Sequence, residues 1–492
     1  MTETAKKKRG MPSSFTILLA LLAIVAVITV IVSGTSGGEV TAARLSDFCT
    51  APILGFADAL PVCLFVMILG GFLGMMTETG ALDNGIAVLV QKLKGNEIML
   101  IPVLMLIFSL GGTTYGMCEE TVPFYALLAA TMMAAGFDPM VGAATVLLGA
   151  GCGCLGSTVN PFAVGAAVDA LTGVDIAVNQ SIIIGLGAVL WIVTTAMSIV
   201  FVMNYAKKVK ADKGSTILSM QELKDAEEAH GKAASEVHKE VKLTGRQKGV
   251  LIAFAFTFVV MIVGFIPLAD LNEGVANFFD AGAVYDADGN AVVQGWSALI
   301  TGLPIGQWYF DEASTWFFLM AVLIGIIGGL SEKQIVNTFI TGAADMMSVV
   351  LVIALARGIS VLMANTGLDV YVLDAAAKAL AGLSGVIFAP MSFLVYFGLS
   401  FLIPSTSGMA TVSMPIMGPL AVKLGFSPEV MVMIFSSAIG VVNLFTPTSG
   451  AIMGGLALAK IEWTTWLKFA LKLIVALSVV CAIILTVACV ML

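Results

Sequence analysis

Residues 110–124 read Leu110-Gly-Gly-Thr-Thr-Tyr-Gly-Met-Cys-Glu-Glu-Thr-Val-Pro-Phe124, within a strongly apolar region of the chain. The stretch carries two adjacent carboxylates, Glu119 and Glu120, among glycines, hydroxyl side chains and a proline. A lipid-facing helix cannot hold such residues, because each unsatisfied backbone group or buried charge there is costly. Irregular, charged backbone at membrane depth occurs only inside protein or beside a water-filled cavity. The stretch therefore predicts the tip of a re-entrant hairpin, Gly111 to Glu120, that lines a substrate site.

The composition places most of the remaining chain in a membrane. Of 492 residues, 59% are hydrophobic and only 11% are charged, whereas soluble domains are about 25% charged. We therefore expect an all-α polytopic membrane protein. The first apolar run, Phe15 to Val32, is long enough to span a bilayer and is predicted to be a retained helix, not a signal peptide. The seven cysteines lie mostly in apolar segments and are expected to be small core residues.

Charge is distributed unevenly between the hydrophilic segments, and this predicts the topology. The basic N-terminus (residues 6–9), Lys92, Lys94 and the segment 207–248, with ten Lys/Arg and seven Asp/Glu, are predicted to be cytoplasmic. The segment 268–312 has seven Asp/Glu and no Lys/Arg, which indicates the opposite side. Residues 220–230 are predicted to form an amphipathic surface helix. The two histidines, His230 and His238, lie in this linker and are expected to be solvated.

The second half of the chain repeats the first. Asp58 and the pair Thr79-Gly80 recur 287 positions later as Asp345 and Thr366-Gly367. The predicted helices after the two aspartates run in opposite directions, so the repeat is inverted, which is typical of secondary transporters. The predicted parts are an N-terminal tail and first helix (1–51), a first repeat (52–206), a cytoplasmic linker (207–248), connecting helices with an acidic extracytoplasmic loop (249–331) and a second repeat (332–492).

Four irregular segments occupy corresponding places in the two halves. Two are predicted hairpin tips, at residues 111–114 and 404–408, and two are predicted helix breaks, at residues 157–161 and 443–450. The N-terminal ends of half-helices suit a carboxylate, whereas unwound carbonyl groups with Ser, Thr and Asn oxygens suit Na⁺ or a proton-linked water. The alternative is that these residues only kink helices or let them pack closely.

The charged residues within the apolar regions leave two interpretations open. Glu119 and Glu120 have no acidic counterpart in the second hairpin, which suggests that one end of the substrate is cationic. Alternatively, one glutamate pairs with Arg357 or reaches the water interface. Arg357 is either a ligand for an anionic substrate or a structural cation that neutralises an acidic residue, with four candidates: Asp58, Glu78, Asp345 and Asp374.

Several classes of function lack the residues they need. No histidine lies in the apolar segments and no Gly-x-x-x-x-Gly-Lys-[Ser/Thr] motif occurs, which argues against a metalloenzyme and an ATP-driven pump. No nucleophile–base or metal cluster supports an enzyme, and no cofactor or nucleic-acid partner is predicted. A channel is a further alternative, which saturable counterflow would exclude.

Four motifs carry a family resemblance: residues 111–124, Gly156-Ser-Thr-Val-Asn-Pro161, Ile403-Pro-Ser-Thr-Ser-Gly-Met-Ala410 and Thr446-Pro-Thr-Ser-Gly450. They resemble the C4-dicarboxylate anaerobic carrier-like family of the ion transporter superfamily, and within it the basic amino acid (arginine/ornithine-type) antiporter branch. The resemblance implies an elevator-type carrier of the bacterial inner membrane, commonly a homodimer. It also implies that hairpin tips and helix breaks hold Na⁺ and the substrate carboxylate. Residues 157–160 depart from the Ser-Asn-Thr triplet of related carriers.

The sequence thus predicts a secondary transporter for an amino acid, of basic type, that works by exchange or by Na⁺ or H⁺ coupling. The runner-up is a carrier of C4-dicarboxylates or other organic anions, with Arg357 and the hydroxyl tips as ligands. Residues expected to receive the substrate carboxylate are Thr113, Thr114, Ser405, Thr406 and Ser407. Glu119 and Glu120 are expected to bind the cationic end, and Asn160, Asn443 and Thr446 to line the breaks. Candidate Na⁺ ligands are Ser157, Thr158, Asn160, Thr446, Thr448 and Ser449.

Overall fold

The computed structural model describes residues 14–82, 84–85, 88, 96–236, 242–266, 268–271, 273–286 and 291–492. Within this part of the chain, nine helices are long and apolar enough to cross a membrane. The protein is therefore an all-helical multi-pass membrane protein. The basic N-terminus, Lys92, Lys94 and His238, all used for the predicted topology, lie outside the described residues.

The first half contains a terminal helix, a kinked helix, a helical hairpin, a broken helix and a long helix. A single helical turn, Glu119–Thr121, lies inside the hairpin, and a π-helical turn, Pro161–Gly165, lies inside the broken helix. The helices are α1 (Ser14–Ser33), α2 (Leu45–Asp58), α3 (Leu60–Glu78), α4 (Leu100–Tyr115), α5 (Val122–Ala134), α6 (Pro139–Leu155), α7 (Ala166–Thr172) and α8 (Gln180–Ala211).

The connecting region contains helices and a small antiparallel ribbon, in which Val284 pairs with Val293. The ribbon lies in the acidic loop, where no strand was predicted. The elements are α9 (Met220–Glu236), α10 (Gly245–Phe265), α11 (Leu268–Leu271), α12 (Glu273–Phe279), β1 (Val284–Tyr285), β2 (Ala291–Val293) and α13 (Phe310–Gly328). Because α10 joins the charged linker to the acidic loop, we refer to the two ends of the membrane part as the linker side and the acidic-loop side.

The second half has the same series of a kinked helix, a hairpin, a broken helix and a long terminal helix. Its helices are α14 (Glu332–Asp345), α15 (Met347–Thr366), α16 (Leu368–Leu380), α17 (Gly385–Leu402), α18 (Thr406–Lys423), α19 (Pro428–Val442), α20 (Gly450–Leu458) and α21 (Trp463–Met491).

The two kinked helices pack closely against each other. The breaks fall at Ala59 and Met346, which are 287 positions apart. Helix α2 packs against α15 and α3 against α14, so the two kinked helices run antiparallel. Glycines permit the approach, because a Cβ on Gly55 would overlap the backbone of Gly358, and a Cβ on Gly342 would overlap the backbone of Gly70.

The helices form two packed groups. The frame consists of α1–α3, α10 and α13–α15, and the inner bundle consists of α4–α8 and α17–α21. Helices α6 and α19 lie at the centre of the inner bundle, where nearly all of their residues are buried. A helix that is apolar on all sides is stable only when protein surrounds it, and these two helices end at the breaks that face the cavity described below.

The first hairpin tip is shorter than the sequence predicts. Helix α4 continues through the predicted tip to Tyr115 and ends at Gly116, whose φ of 81° lies in the left-handed region. Gly111 and Gly112 remain helical. Gly112 faces the neighbouring helix α6, because a Cβ on it would overlap the backbone of Ala150, whereas Gly111 faces the Met117 side chain of the same hairpin. The irregular tip therefore comprises residues 116–118, followed by the turn that carries both glutamates.

The linker helix α9 docks on the inner bundle instead of lying free in solvent. The Glu222 carboxylate accepts a 2.9 Å hydrogen bond from the backbone N–H of Glu462. His230 Nε2 lies 3.0 Å from the carbonyl oxygen of Leu458, and the His230 side chain is half-buried. The expected solvated role of His230 is therefore wrong, because α9 packs its polar side chains onto the ends of α5 and α20.

Candidate functional site

A cavity of about 170 Å³ lies where the four irregular segments meet the frame. We call it the Glu119 cavity. The first hairpin tip, both helix breaks and the second hairpin tip supply one wall, and Ala59, Val62, Ile353 and Arg357 of the frame supply the other. It is bordered by Phe310, the first residue of α13 after the acidic loop. The predicted site residues that line it are Glu119, Asn160, Ser405, Thr406, Ser407, Asn443, Thr448 and Ser449.

The structure places the two adjacent glutamates differently. Glu119 is partly exposed and lines the cavity. Glu120 is only 1% exposed, and its Oε2 accepts a 2.9 Å hydrogen bond from the backbone N–H of Cys118. Glu120 therefore closes the hairpin tip, while Glu119 presents its carboxylate to the cavity. Of these two glutamates, Glu119 lines the cavity and Glu120 bonds within the hairpin tip.

A cation faces the same cavity from the frame. Arg357 lies on α15, and its Nε is 3.0 Å from the Oδ2 atom of Asp58, the last residue of α2. The arginine side chain is 24% exposed and the aspartate side chain is 52% exposed. Of the four acidic partners considered from the sequence, Asp58 is the one that pairs with Arg357. The ion pair joins the two kinked helices and gives the cavity a fixed positive group opposite Glu119.

Two half-helices begin at the cavity and supply hydrogen-bond donors. The Ser405 hydroxyl oxygen accepts a 3.1 Å hydrogen bond from the Gly408 N–H at the start of α18. Helix α20 begins at Gly450, and Gly450, Ala451 and Ile452 all line the cavity. The N–H groups of a first helical turn have no partner within their own helix and carry partial positive charge. Both helix starts can therefore bind an anionic group.

The remaining predicted residues lie behind the cavity wall. The Thr113 hydroxyl donates to the carbonyl oxygen of Gly156 at 2.6 Å, and the Thr114 hydroxyl to that of Leu110 at 2.7 Å. These two threonines therefore brace α4 and do not line the cavity. The other predicted residues outside the cavity lining are Glu120, Ser157, Thr158 and Thr446.

The oxygen atoms of the two helix breaks differ in how they are bonded. In the first break, the Ser157 hydroxyl donates to Cys154 O at 2.6 Å, and Asn160 Oδ1 accepts from the Phe162 N–H at 2.9 Å. In the second break, the hydroxyls of Thr446 and Thr448 lie 2.7 Å apart in fully buried positions, and Thr448 borders the cavity. Asn160 of the first break and Thr448 of the second therefore each bring a side-chain oxygen to the cavity lining.

One cavity residue escaped the sequence analysis. The Ser436 hydroxyl lines the Glu119 cavity, is 2% exposed and has no hydrogen-bond partner within the described residues. An unpaired buried hydroxyl costs free energy unless a ligand or water pairs with it. The signal was present as the adjacent pair Ser436-Ser437, which interrupts the apolar run from Val430 to Val442 in helix α19.

A second, larger cavity of about 800 Å³ opens on the linker side, and we call it the linker-side cavity. Its frame wall comes from α3 and α14 and carries the carboxylates of Glu78 and Asp345. Its inner-bundle wall comes from α5 and α20 and includes Lys460, with His230 of α9 at its border. The same two helical groups therefore face each other across both cavities.

Comparisons with known proteins place the chain among membrane transporters. Residues 39–490 match the family described as "DcuC: C4-dicarboxylate anaerobic carrier". A Haemophilus influenzae protein named "Uncharacterized protein" is 28% identical over 90% of this chain and 78% of its own length. An Escherichia coli protein named "Putative basic amino acid antiporter YfcC" is 27% identical over 87% of this chain and 77% of its own.

Two solved transporter structures are similar over nearly the whole chain at low identity. MtrF of Neisseria gonorrhoeae, described within a class of antimetabolite efflux pumps, is 17% identical with a TM-score of 0.44, over 98% of this chain and 96% of its own. The YdaH transporter of Alcanivorax borkumensis is 15% identical with a TM-score of 0.46, over 97% of this chain and 98% of its own.

Proposed function

This chain belongs to the C4-dicarboxylate anaerobic carrier family, and we propose that, within this family, it transports a basic amino acid such as arginine or ornithine. It is a secondary transporter and not an enzyme. The proposed mode is exchange of one cationic substrate for another, or coupling to an ion. The Glu119 cavity is the proposed binding site.

The placement of Glu119 carries the proposal. A carboxylate in a cavity wall binds a guanidinium or ammonium group strongly when both are withdrawn from water. The carboxylates of Glu119 and Asp58 with the guanidinium of Arg357 give these three side chains one net negative charge. A basic amino acid has two cationic groups and one carboxylate, so its single net positive charge balances the site.

The α-carboxylate of the substrate needs donors at a distance from Glu119. The starts of α18 and α20 supply backbone N–H groups and the hydroxyls of Ser405, Thr406 and Ser407. The unpaired Ser436 hydroxyl adds a donor on the same wall. We assign the substrate carboxylate to this group and the side-chain cation to Glu119. The name of the Escherichia coli relative supports the same substrate class.

The proposed transport cycle is a movement of the inner bundle against the frame, as in an elevator-type carrier. The matching element series of the two halves and their antiparallel kinked helices support inverted repeats, which place a substrate site at the repeat interface. We further propose a homodimer in the bacterial inner membrane with a cytoplasmic N-terminus. The contrast between the mixed-charge linker and the acidic loop supports this orientation.

We assign the coupling ion, if it is Na⁺, to the second helix break. Thr446 and Thr448 offer paired hydroxyl oxygens there, next to Ser449. Adding Na⁺ should then raise the melting temperature of the purified protein but not that of the variant Thr448→Val. Equal stabilisation of both proteins would remove this assignment and leave H⁺ or pure exchange as the coupling mode.

The substrate assignment is tested in proteoliposomes loaded with unlabelled arginine, by uptake of labelled arginine, ornithine and succinate. We expect saturable counterflow of the two basic amino acids and none of succinate. Glu119→Gln should raise the KM for arginine at least about tenfold, equivalent to 1.4 kcal/mol of lost binding. The matched control is Glu120→Gln, which keeps an oxygen acceptor for the Cys118 N–H and should have the smaller effect.

The second candidate is a carrier of dicarboxylates or other organic anions. It is favoured by Arg357, which lines the same cavity as the helix starts. Counterflow of succinate without arginine, together with parent-like transport by Glu119→Gln, would support this candidate and reject the basic amino acid.

A further inference from the structure

The frame presents a cation paired with a carboxylate beside the Glu119 cavity and two carboxylates beside the linker-side cavity, and the internal repeat shows how this difference arises. The offset of 287 positions, which relates the helix breaks at Ala59 and Met346, also relates Asp58 to Asp345. It relates Arg357 to Gly70. Asp58 and Arg357 form their ion pair beside the Glu119 cavity, whereas Asp345 and Gly70 line the linker-side cavity. One face of the frame therefore has a cation that the equivalent position on the other face lacks.

The glycine at position 70 is required by packing, so the asymmetry is built into the fold. A Cβ on Gly70 would overlap Met346 and the backbone of Gly342, and an arginine there does not fit. The described frame wall of the linker-side cavity carries two carboxylates, Glu78 and Asp345, and no Lys or Arg. Lys460 and His230 border the same cavity, but they belong to the inner bundle and to the helix docked on it.

If the inner bundle moves as proposed above, Glu119 moves from the frame wall of the Glu119 cavity to the frame wall of the linker-side cavity. On the acidic-loop side, its carboxylate faces Arg357. On the linker side, it would face Asp345 and Glu78. An ionised carboxylate is attracted to the first face and repelled by the second, and both effects are strong where water is scarce. A cationic substrate bound at Glu119 neutralises that carboxylate, so the loaded inner bundle is no longer attracted to one face and repelled by the other.

We propose that Arg357 holds the empty carrier on the acidic-loop side, so that only a carrier loaded with a cation crosses and the protein is an obligate exchanger. This inference rests on the proposed basic amino acid and adds the reason for exchange. In this proposal, Arg357 is a gating charge that attracts the empty site, and Asp345 is a charge that repels the empty site from the linker side. Asp58 orients Arg357 and moderates its attraction for Glu119.

The experiment compares two rates in proteoliposomes preloaded with labelled arginine. The first is efflux into buffer that contains unlabelled arginine, and the second is net efflux into buffer without it. In the parent protein, net efflux should be at least about tenfold slower than exchange. Arg357→Gln, and independently Asp345→Lys, should raise the ratio of net efflux to exchange several-fold. The control Lys423→Gln removes an exposed cation at the end of α18 and should leave the ratio unchanged.

The outcomes separate this inference from the substrate assignment. Absence of any arginine counterflow rejects the proposed substrate. Counterflow accompanied by equally fast net efflux in the parent protein rejects the gating charge and leaves the substrate intact. A variant that loses its symmetric gel-filtration peak is set aside, and the parent ratio and the other variant still decide. Parent-like ratios in folded Arg357→Gln and Asp345→Lys would also overturn the inference.

Discussion

The Cys63 thiol lies 3.9 Å from the carbonyl oxygen of Val350, the residue that is equivalent to Cys63 under the 287-position offset between the two halves. Contact between equivalent residues requires that they lie at the local axis that relates the two kinked helices. Both residues are buried, and the surrounding apolar cluster includes Val66, Val349 and Ile353. The centre of the frame is therefore a helix crossing to which both halves contribute the same positions.

The close crossing of α2 and α15 predicts that even an added methyl group at Gly55 lowers the stability of the protein. A Cβ there would overlap the backbone of Gly358 and Ala354, which cannot rotate away. We expect Gly55→Ala to separate α2 from α15 and to lower stability by about 1–3 kcal/mol, as overpacking does elsewhere. Thermal unfolding in detergent measures the effect. Gly398→Ala is the control, since a Cβ at Gly398 meets nothing within 4 Å. Equal melting temperatures for the two variants would contradict the close crossing.

A second prediction concerns movement of the inner bundle along the frame. Gly454 of α20 faces Val349 of α15, and a Cβ on Gly454 would lie 2.8 Å from a Val349 methyl carbon. Gly454 does not line the Glu119 cavity. Gly454→Ala should therefore slow exchange several-fold at saturating arginine while arginine still stabilises the purified protein as in the parent. A change in arginine affinity with an unaltered maximal rate would show that α20 does not move against α15.

The unpaired hydroxyl of Ser436 predicts a direct contact with the substrate. Its atom is buried in the wall of the Glu119 cavity, and a substrate oxygen that pairs with it removes an unsatisfied group. Ser436→Ala should weaken arginine binding by about 0.5–1.5 kcal/mol, the net value of one hydrogen bond. It should also stabilise the empty protein slightly. Thermal shifts with and without arginine measure both. The neighbouring Ser437→Ala is the control, because the Ser437 hydroxyl donates to Ile434 O within α19.

The sequence predicted the irregular segments well because their causes are local. Glycine, proline and short polar side chains within long apolar runs have no stable place on a lipid-facing helix. The breaks after Leu155 and Val442 therefore fall where the motifs predicted them. The end of α4 was misplaced by several residues, because Gly111 and Gly112 were interpreted as loop residues. Gly112 serves a close contact with α6, which depends on a neighbour distant in sequence.

The site itself could be predicted only in part. Spacing could show that Glu119 and Glu120 are adjacent, but not that one closes the tip while the other faces the cavity. The choice depends on the backbone geometry of a single helical turn. The partner of Arg357 was similarly open among four acids, since it depends on which helices cross. Ser436 lacked any motif, and its burial without a partner becomes apparent only in three dimensions.

The docking of α9 through His230 predicts a response to pH. Burial lowers the pKa of His230 below its usual value of about 6.5, and the nearby Lys460 lowers the pKa further. The hydrogen bond to Leu458 O raises the pKa, but its influence is smaller than that of burial. The docked state therefore prefers the neutral imidazole, and the undocked state binds a proton more readily. The contribution of His230 to docking is fully present above about pH 6.5 and decreases as the pH falls towards the lowered pKa.

Hydrogen–deuterium exchange of residues 220–236, corrected for the intrinsic pH dependence, measures this response. Protection of α9 should be lower at about pH 5.5 than at about pH 7.5 in the parent protein. In His230→Gln, the amide still donates to Leu458 O but does not titrate, so the difference should shrink. Glu222 also anchors α9, and Glu222→Gln tests whether that carboxylate contributes. A pH response that is unchanged in His230→Gln would contradict the assignment of the response to His230.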